Sequence, residues 1–64
     1  MYTVTFFKNR QETKSSTFSN LSGAINSLES NANYHSLFVD EDQMYASSGG
    51  TIPEMEIEIT QVEY

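Results

Sequence analysis

The segment Glu54-Met55-Glu56-Ile57-Glu58-Ile59 alternates acid and apolar residue without a break. Successive side chains of a β-strand point to opposite faces, so strict period two is the mark of a strand with one buried and one wet side. Wound as a helix, the same residues would scatter their apolar groups around the axis. Pro53 fits the position just before the ladder of hydrogen bonds, where a missing N–H costs nothing. Such a strand cannot stand alone. It demands neighbours to pair with, and a cover for Met55, Ile57 and Ile59.

The rest of the chain supplies both. Residues 2–8, Tyr-Thr-Val-Thr-Phe-Phe-Lys, are aromatic and β-branched, with Tyr2, Val4 and Phe6 on one face and Thr3, Thr5 and Phe7 on the other. Asn9-Arg10-Gln11 reads as a hairpin turn, and 12–18 as a returning polar strand suited to a sheet edge. Ser19-Asn20 offers a helix N-cap. Leu21, Ala24, Ile25 and Leu28 follow at i, i+3, i+4 and i+7, a single apolar face opposed by Ser22, Asn26, Ser27, Glu29 and Ser30. The Asn31-Ala32-Asn33 cluster is expected to end the helix, because Asn tolerates the left-handed backbone of C-terminal caps. Residues 34–40 read as a third strand, with Leu37 and Val39 facing the core and Phe38 facing away. Asp40-Glu41-Asp42-Gln43 reads as a turn, Met44-Tyr45-Ala46 as a short fourth strand, and Ser47-Ser48-Gly49-Gly50 as a flexible break. The expected fold is therefore α+β: a single antiparallel β-sheet with one helix packed on one face, in the order ββαβββ. The helix should rest on Val4, Phe6, Leu37, Val39, Met55, Ile57 and Ile59.

At 64 residues the chain makes one small domain, 1–64, and buries only about 60% of its unfolded surface. It has no Cys and one His, so neither disulfides nor thiolate metal sites supplement the core. Self-association or a partner is the expected supplement. The N-terminus has no basic segment ahead of an apolar one, and no run approaches the roughly 20 apolar residues of a membrane helix. A cytoplasmic protein without membrane attachment is expected.

Charge narrows the partners. Lys8, Arg10 and Lys14 are all the Lys and Arg of the chain, against nine Asp and Glu and a net charge of -6. Such a field repels phosphates and anionic lipids and attracts basic protein surfaces. Three cations on one hairpin would bind nucleic acid only weakly, and guarding a sheet edge or meeting the acidic patch of a second copy explains them better. Glu54, Glu56 and Glu58 would stand about 6.6–6.8 Å apart on one strand face, an interval comparable to that of successive phosphates. Ordinary solvation of an open sheet face is the plainer account of that ladder. The absence of any Lys after position 14 and a second acidic cluster, Asp40-Glu41-Asp42, favour a docking role. Phe7, Phe38 and Tyr45, with Tyr64, are the candidate apolar anchors on the same face.

Catalytic and metal chemistry is poorly represented. His35 with Ser36, Ser47 or Ser48 and Asp40 lacks the nucleophile elbow and the room for a closed pocket. Asp40-x-Asp42 fails as a calcium loop, since Met44 falls where an oxygen ligand is needed and no closing Glu follows. Ser47-Ser48-Gly49-Gly50 lacks the Lys and the helix of a phosphate loop. No enzyme, cofactor or metal site is expected. In size, acidity, lack of Cys and lack of a catalytic set, the chain resembles small phage-encoded antagonists of host enzymes, such as anti-CRISPR proteins, anti-restriction proteins and uracil-DNA glycosylase inhibitors. The resemblance is of general character over the whole chain and carries no motif. It implies an inhibitor that blocks the basic surface of a nucleic-acid-handling host protein by charge mimicry. The alternative is an assembly module that homodimerises through a sheet edge or the open face, with the acids serving solubility.

Overall fold

The two-residue turn Asn9-Arg10 sets the architecture, with both residues at positive φ (52° and 68°). That is the type I′ geometry whose twist matches antiparallel strands. In the computed structural model, which describes residues 1–62, this turn joins β1 (Tyr2–Lys8) to β2 (Gln11–Phe18). There follow α1 (Leu21–His35), β3 (Phe38–Asp40), β4 (Tyr45–Ser47) and β5 (Met55–Gln61). The expected ββαβββ order is the observed one, and the sheet is antiparallel throughout, with spatial order β2-β1-β5-β4-β3. The last strand in sequence is therefore the middle strand in space.

Register assigns the faces. Val4 lies opposite Ile59, Phe6 opposite Ile57, and Ile57 opposite Ala46. These five residues are buried, together with Ala24, Leu28 and Ala32 of α1. The helix begins where Asn20 caps it, its Oδ1 accepting the Gly23 N–H at 2.8 Å. Its packing stripe, Ala24-Leu28-Ala32, follows i+4 spacing, with Ile25 half-buried beside it. Small residues at two of these three positions let the helix approach the sheet closely.

Several boundaries differ from expectation. The Asn cluster does not end α1, which continues through His35. The Asn31 side chain donates to the Ser27 carbonyl at 2.8 Å, a bond made within the helix. Termination falls to Ser36, at φ 58°. Its N–H reaches Asn33 O, while the Leu37 N–H reaches Ala32 O at 2.7 Å. This pair of bonds is a Schellman motif, and Leu37 packs against the core as its hydrophobic contact. Tyr34 and His35 are thus helical rather than part of β3, which is three residues long. Val39 faces the helix side by its pairing with Ala46, yet lies at the sheet edge and is exposed. Ala46, absent from the expected core, takes its place under the helix.

The segment 48–54 is tied by hydrogen bonds at its two ends. The Ser48 hydroxyl accepts the N–H groups of Glu54 and Met55, and the Glu54 carbonyl accepts the Asn9 N–H at 2.8 Å. Met1 and Val62 exchange backbone bonds and extend the β1–β5 pairing. No helix of the described residues is long and apolar enough to cross a membrane.

Candidate functional site on the open sheet face

With α1 covering one side, the opposite side of the sheet faces solvent. Its cross-strand rows follow from register. One row is Glu12, Phe7, Glu56, Ser47 and Phe38, and the next is Ser15, Thr5, Glu58, Tyr45 and Asp40. A register shift between Phe6 and Phe7 brings Glu12, rather than Thr13, opposite Phe7. The row assignments put Glu12, Asp40, Glu56 and Glu58 on a single face.

Glu56 and Glu58 occupy the central strand, flanked by Phe7 from β1 and Tyr45 from β4. Adjacent strands run about 4.8 Å apart, so these two rings rise from backbones roughly 10–12 Å apart with β5 as the floor between them. Phe7, Arg10, Tyr45, Glu56 and Glu58 line an open depression of about 210 Å³. Phe7, Tyr45 and Glu56 are half-buried, whereas Glu58 and Arg10 are exposed. The Tyr45 hydroxyl donates to Glu56 Oε1. This bond to a carboxylate holds the Tyr45 phenol above its ordinary value of 10.0, with burial and the charge of Glu56 adding to the rise. The bond also fixes the orientation of Glu56, leaving its second oxygen and both oxygens of Glu58 as acceptors.

The remaining candidate residues are dispersed. Glu54 precedes β5 instead of extending it, so the strand itself carries only Glu56 and Glu58 of the expected ladder. Phe38 points to the open face by register, but at the β3 edge. It is 74% exposed, beside Gly49 rather than in the depression. Asp40 closes its own turn, its Oδ1 accepting the Gln43 N–H at 3.3 Å. Glu41 approaches Glu29 of α1, and their hydrogen bonding and mutual repulsion raise Glu29 above the usual carboxylate value. Asp42 is exposed at the tip. Glu63 and Tyr64 lie outside the described residues.

The cations do not form one patch either. Lys14 Nζ sits 4.6 Å from the centroid of the Phe6 ring, on the helix side of the sheet. Lys8 pairs with Gln11 and Met55 and belongs to that same side by register. Arg10 alone joins the open-face depression. The sequence marks it only as one member of a basic hairpin. Its role depends on β5 pairing beside the turn.

His35 ends α1 exposed, edge-on to the Tyr34 ring at 4.9 Å. Among the described residues no group of three or more His, Cys, Asp or Glu is placed to hold a metal ion. Compared with known proteins, the chain matches no family model, no curated protein and no solved structure.

Proposed function

We propose that this chain is a small protein-binding inhibitor of the phage anti-defence type, acting without catalysis. Its open sheet face would dock on the basic, nucleic-acid-binding surface of a host protein in the cytoplasm and exclude the nucleic acid. One observation carries the reading. Glu56 and Glu58 on the central strand share a depression with two half-buried aromatic rings, on the face the helix leaves uncovered. The net charge of -6 steers a basic partner toward the molecule, and the rings supply the apolar contact that converts encounter into residence. Occupation of the groove is competitive, so inhibition is stoichiometric and association slows as salt rises.

Affinity capture from host lysate, eluted at low and then high salt and identified by mass spectrometry, tests this. Basic nucleic-acid-binding proteins retained by the parent chain, released by salt and lost with Glu56→Gln/Glu58→Gln support the reading. Retention indifferent to both salt and the double substitution refutes it.

The edge strand β3 favours a second reading, since Phe38 is 74% and Val39 40% exposed there. These residues suit a homodimer built through that edge. Sedimentation over a range of concentrations separates the two. A monomer when alone agrees with the inhibitor, and a tight dimer with the assembly module.

A further inference from the structure

We propose that the depression between Phe7 and Tyr45 is a socket for one guanidinium group, that of an arginine side chain presented by the partner, and that Arg10 is its internal competitor. The inference rests on the docking role above and assigns the chemistry of its central contact.

The shape suits an inserted side chain. Phe7 and Tyr45 stand on strands that flank β5, while Glu56 and Glu58 rise from β5 itself. The depression is open to solvent and holds about 210 Å³, the size of a side chain rather than of an extended groove. Its lining includes two aromatic rings, and a cation placed over a ring is attracted by the ring quadrupole. The floor offers carboxylate oxygens at two successive same-face positions. Tyr45 already holds one oxygen of Glu56, so that acceptor is oriented before any ligand arrives.

A guanidinium fits this set better than an ammonium. It is planar, weakly hydrated and able to stack on aromatic faces while donating in a fork to carboxylates. A lysine ammonium is a compact, strongly hydrated charge that gains less from two ring walls. A bare metal ion would find two carboxylates and a phenol already engaged as a donor, and among the described residues no third acid completes a metal-holding group.

The chain itself points to the ligand. Arg10 lies at the second position of the type I′ turn, at φ 68°, where a side chain is disfavoured and Gly is the usual occupant. From there it lines the recess, so the protein already brings a guanidinium to this place. In the unbound protein Arg10 moderates the negative potential of Glu56 and Glu58. A partner's arginine must displace it or share the carboxylates with it. Removing Arg10 therefore strengthens binding of an external guanidinium, the opposite of what a general salt-bridge partner would do.

The test needs no partner protein. Backbone amide shifts of the ¹⁵N-labelled chain are followed while N-acetyl-arginine amide is added at constant ionic strength. The lysine and citrulline analogues serve as comparisons, citrulline being the uncharged near-isostere. The expected result is a saturable response centred on Phe7, Arg10, Tyr45, Glu56 and Glu58, stronger for arginine than for lysine and absent for citrulline. Arg10→Gly should tighten arginine binding about two- to fivefold, the effect of removing one like charge about 4–10 Å away in water. Glu58→Gln, a substitution at an exposed position, should weaken it about 1.5- to 5-fold.

A response spread equally over Glu12 and Asp40-Glu41-Asp42 would overturn the socket, as would one unchanged by Glu58→Gln. Equal binding of lysine would overturn the guanidinium assignment. Those failures would leave docking through a diffuse acidic face intact. Failure of the lysate capture would instead leave the titration measurable.

Discussion

Replacing Arg10 by Gly should relieve backbone strain and leave the fold more stable than Arg10→Ala does, although each deletes one of only three Lys and Arg residues from a chain of net charge -6. The reasoning is confined to the turn. Arg10 is held at φ 68°, in the left-handed region, where an L side chain crowds the following carbonyl at a cost of about 1–2 kcal/mol. Glycine escapes that cost but has more unfolded-state freedom to lose, roughly 0.5–1 kcal/mol. The difference favours glycine by about 0.5–1 kcal/mol. For a domain of this size that contribution alone corresponds to about 3–6 °C in the midpoint. Any attraction between Arg10 and the Glu56–Glu58 pair is lost too, an exposed interaction of at most about 1 kcal/mol. Arg10→Ala loses the same attraction while keeping the strain, so the gap between the two variants isolates the backbone contribution. Thermal melts by circular dichroism at matched salt should place Arg10→Gly above Arg10→Ala by several degrees. Equal midpoints would refute the account, because they would mean that the turn stores no strain at Arg10.

Ser36 poses the same problem at the end of α1, at φ 58°, and Ser36→Gly should add about 0.5–1 kcal/mol, read as a higher urea midpoint with an unchanged slope. Ile57 is fully buried on the central strand, and Ile57→Ala should cost about 2–5 kcal/mol, a large part of what so small a domain possesses. Denaturant titration would show that loss, and a change below 1 kcal/mol would contradict the burial. Tyr45 is held above its ordinary value by its bond to Glu56. The corresponding stability is fully present below pH 10 and is lost as pH rises through the folded value, so Tyr45→Phe should flatten the alkaline limb of the stability curve. Glu29 is likewise raised, by Glu41. The folded state holds that proton more tightly, so this contribution is present below about pH 4.5 and disappears as pH rises through the folded value. Glu29→Gln should therefore raise the melting temperature at neutral pH relative to its effect in acid.

The sequence made the sheet and the helix start legible because those depend on local pattern. The Glu-Met-Glu-Ile-Glu-Ile alternation, the Tyr2–Phe7 alternation and the Asn20 cap each act within a few residues. The end of α1 departs from the sequence pattern for a physical reason. Tyr34 to Phe38 has strand-like composition, but Ala32 continues the packing stripe by one more turn, and burial outweighs propensity. The left-handed cap then falls to Ser36, a residue type with no special tolerance for it. The core position of Ala46 is not legible in the sequence, because a lone alanine in a three-residue strand has no periodicity to betray it. Its burial follows from pairing with Ile57 beneath α1. The acids of the site were legible, whereas its boundaries were not. That β5 enters between β1 and β4, and so sets Phe7 and Tyr45 on either side of Glu56 and Glu58, is a fact of non-local pairing.

That insertion also changes what the segregated charge means. Read along the chain, three cations stand at one end and the acids at the other, which suggests a dipolar plate. In the fold, Lys14 stacks on Phe6 on the helix side and Lys8 belongs to that side by register, while Arg10 lines the depression on the acidic face. The open face is thus acidic with a single internal counter-charge. Mutual repulsion does not by itself require a partner there. Two carboxylates about 6.7 Å apart repel by only about 0.6 kcal/mol in water, and salt reduces that further. A free molecule tolerates the pair easily. The case for a partner lies in the placement of Phe7 and Tyr45 beside them, because ring walls and a docked surface exclude water. At an effective dielectric constant near 20, the attraction of one guanidinium about 4 Å from a carboxylate rises to about 4 kcal/mol before desolvation is charged against it. The same two acids that are nearly neutral to stability in solution thereby become selective for a cation once the face is covered.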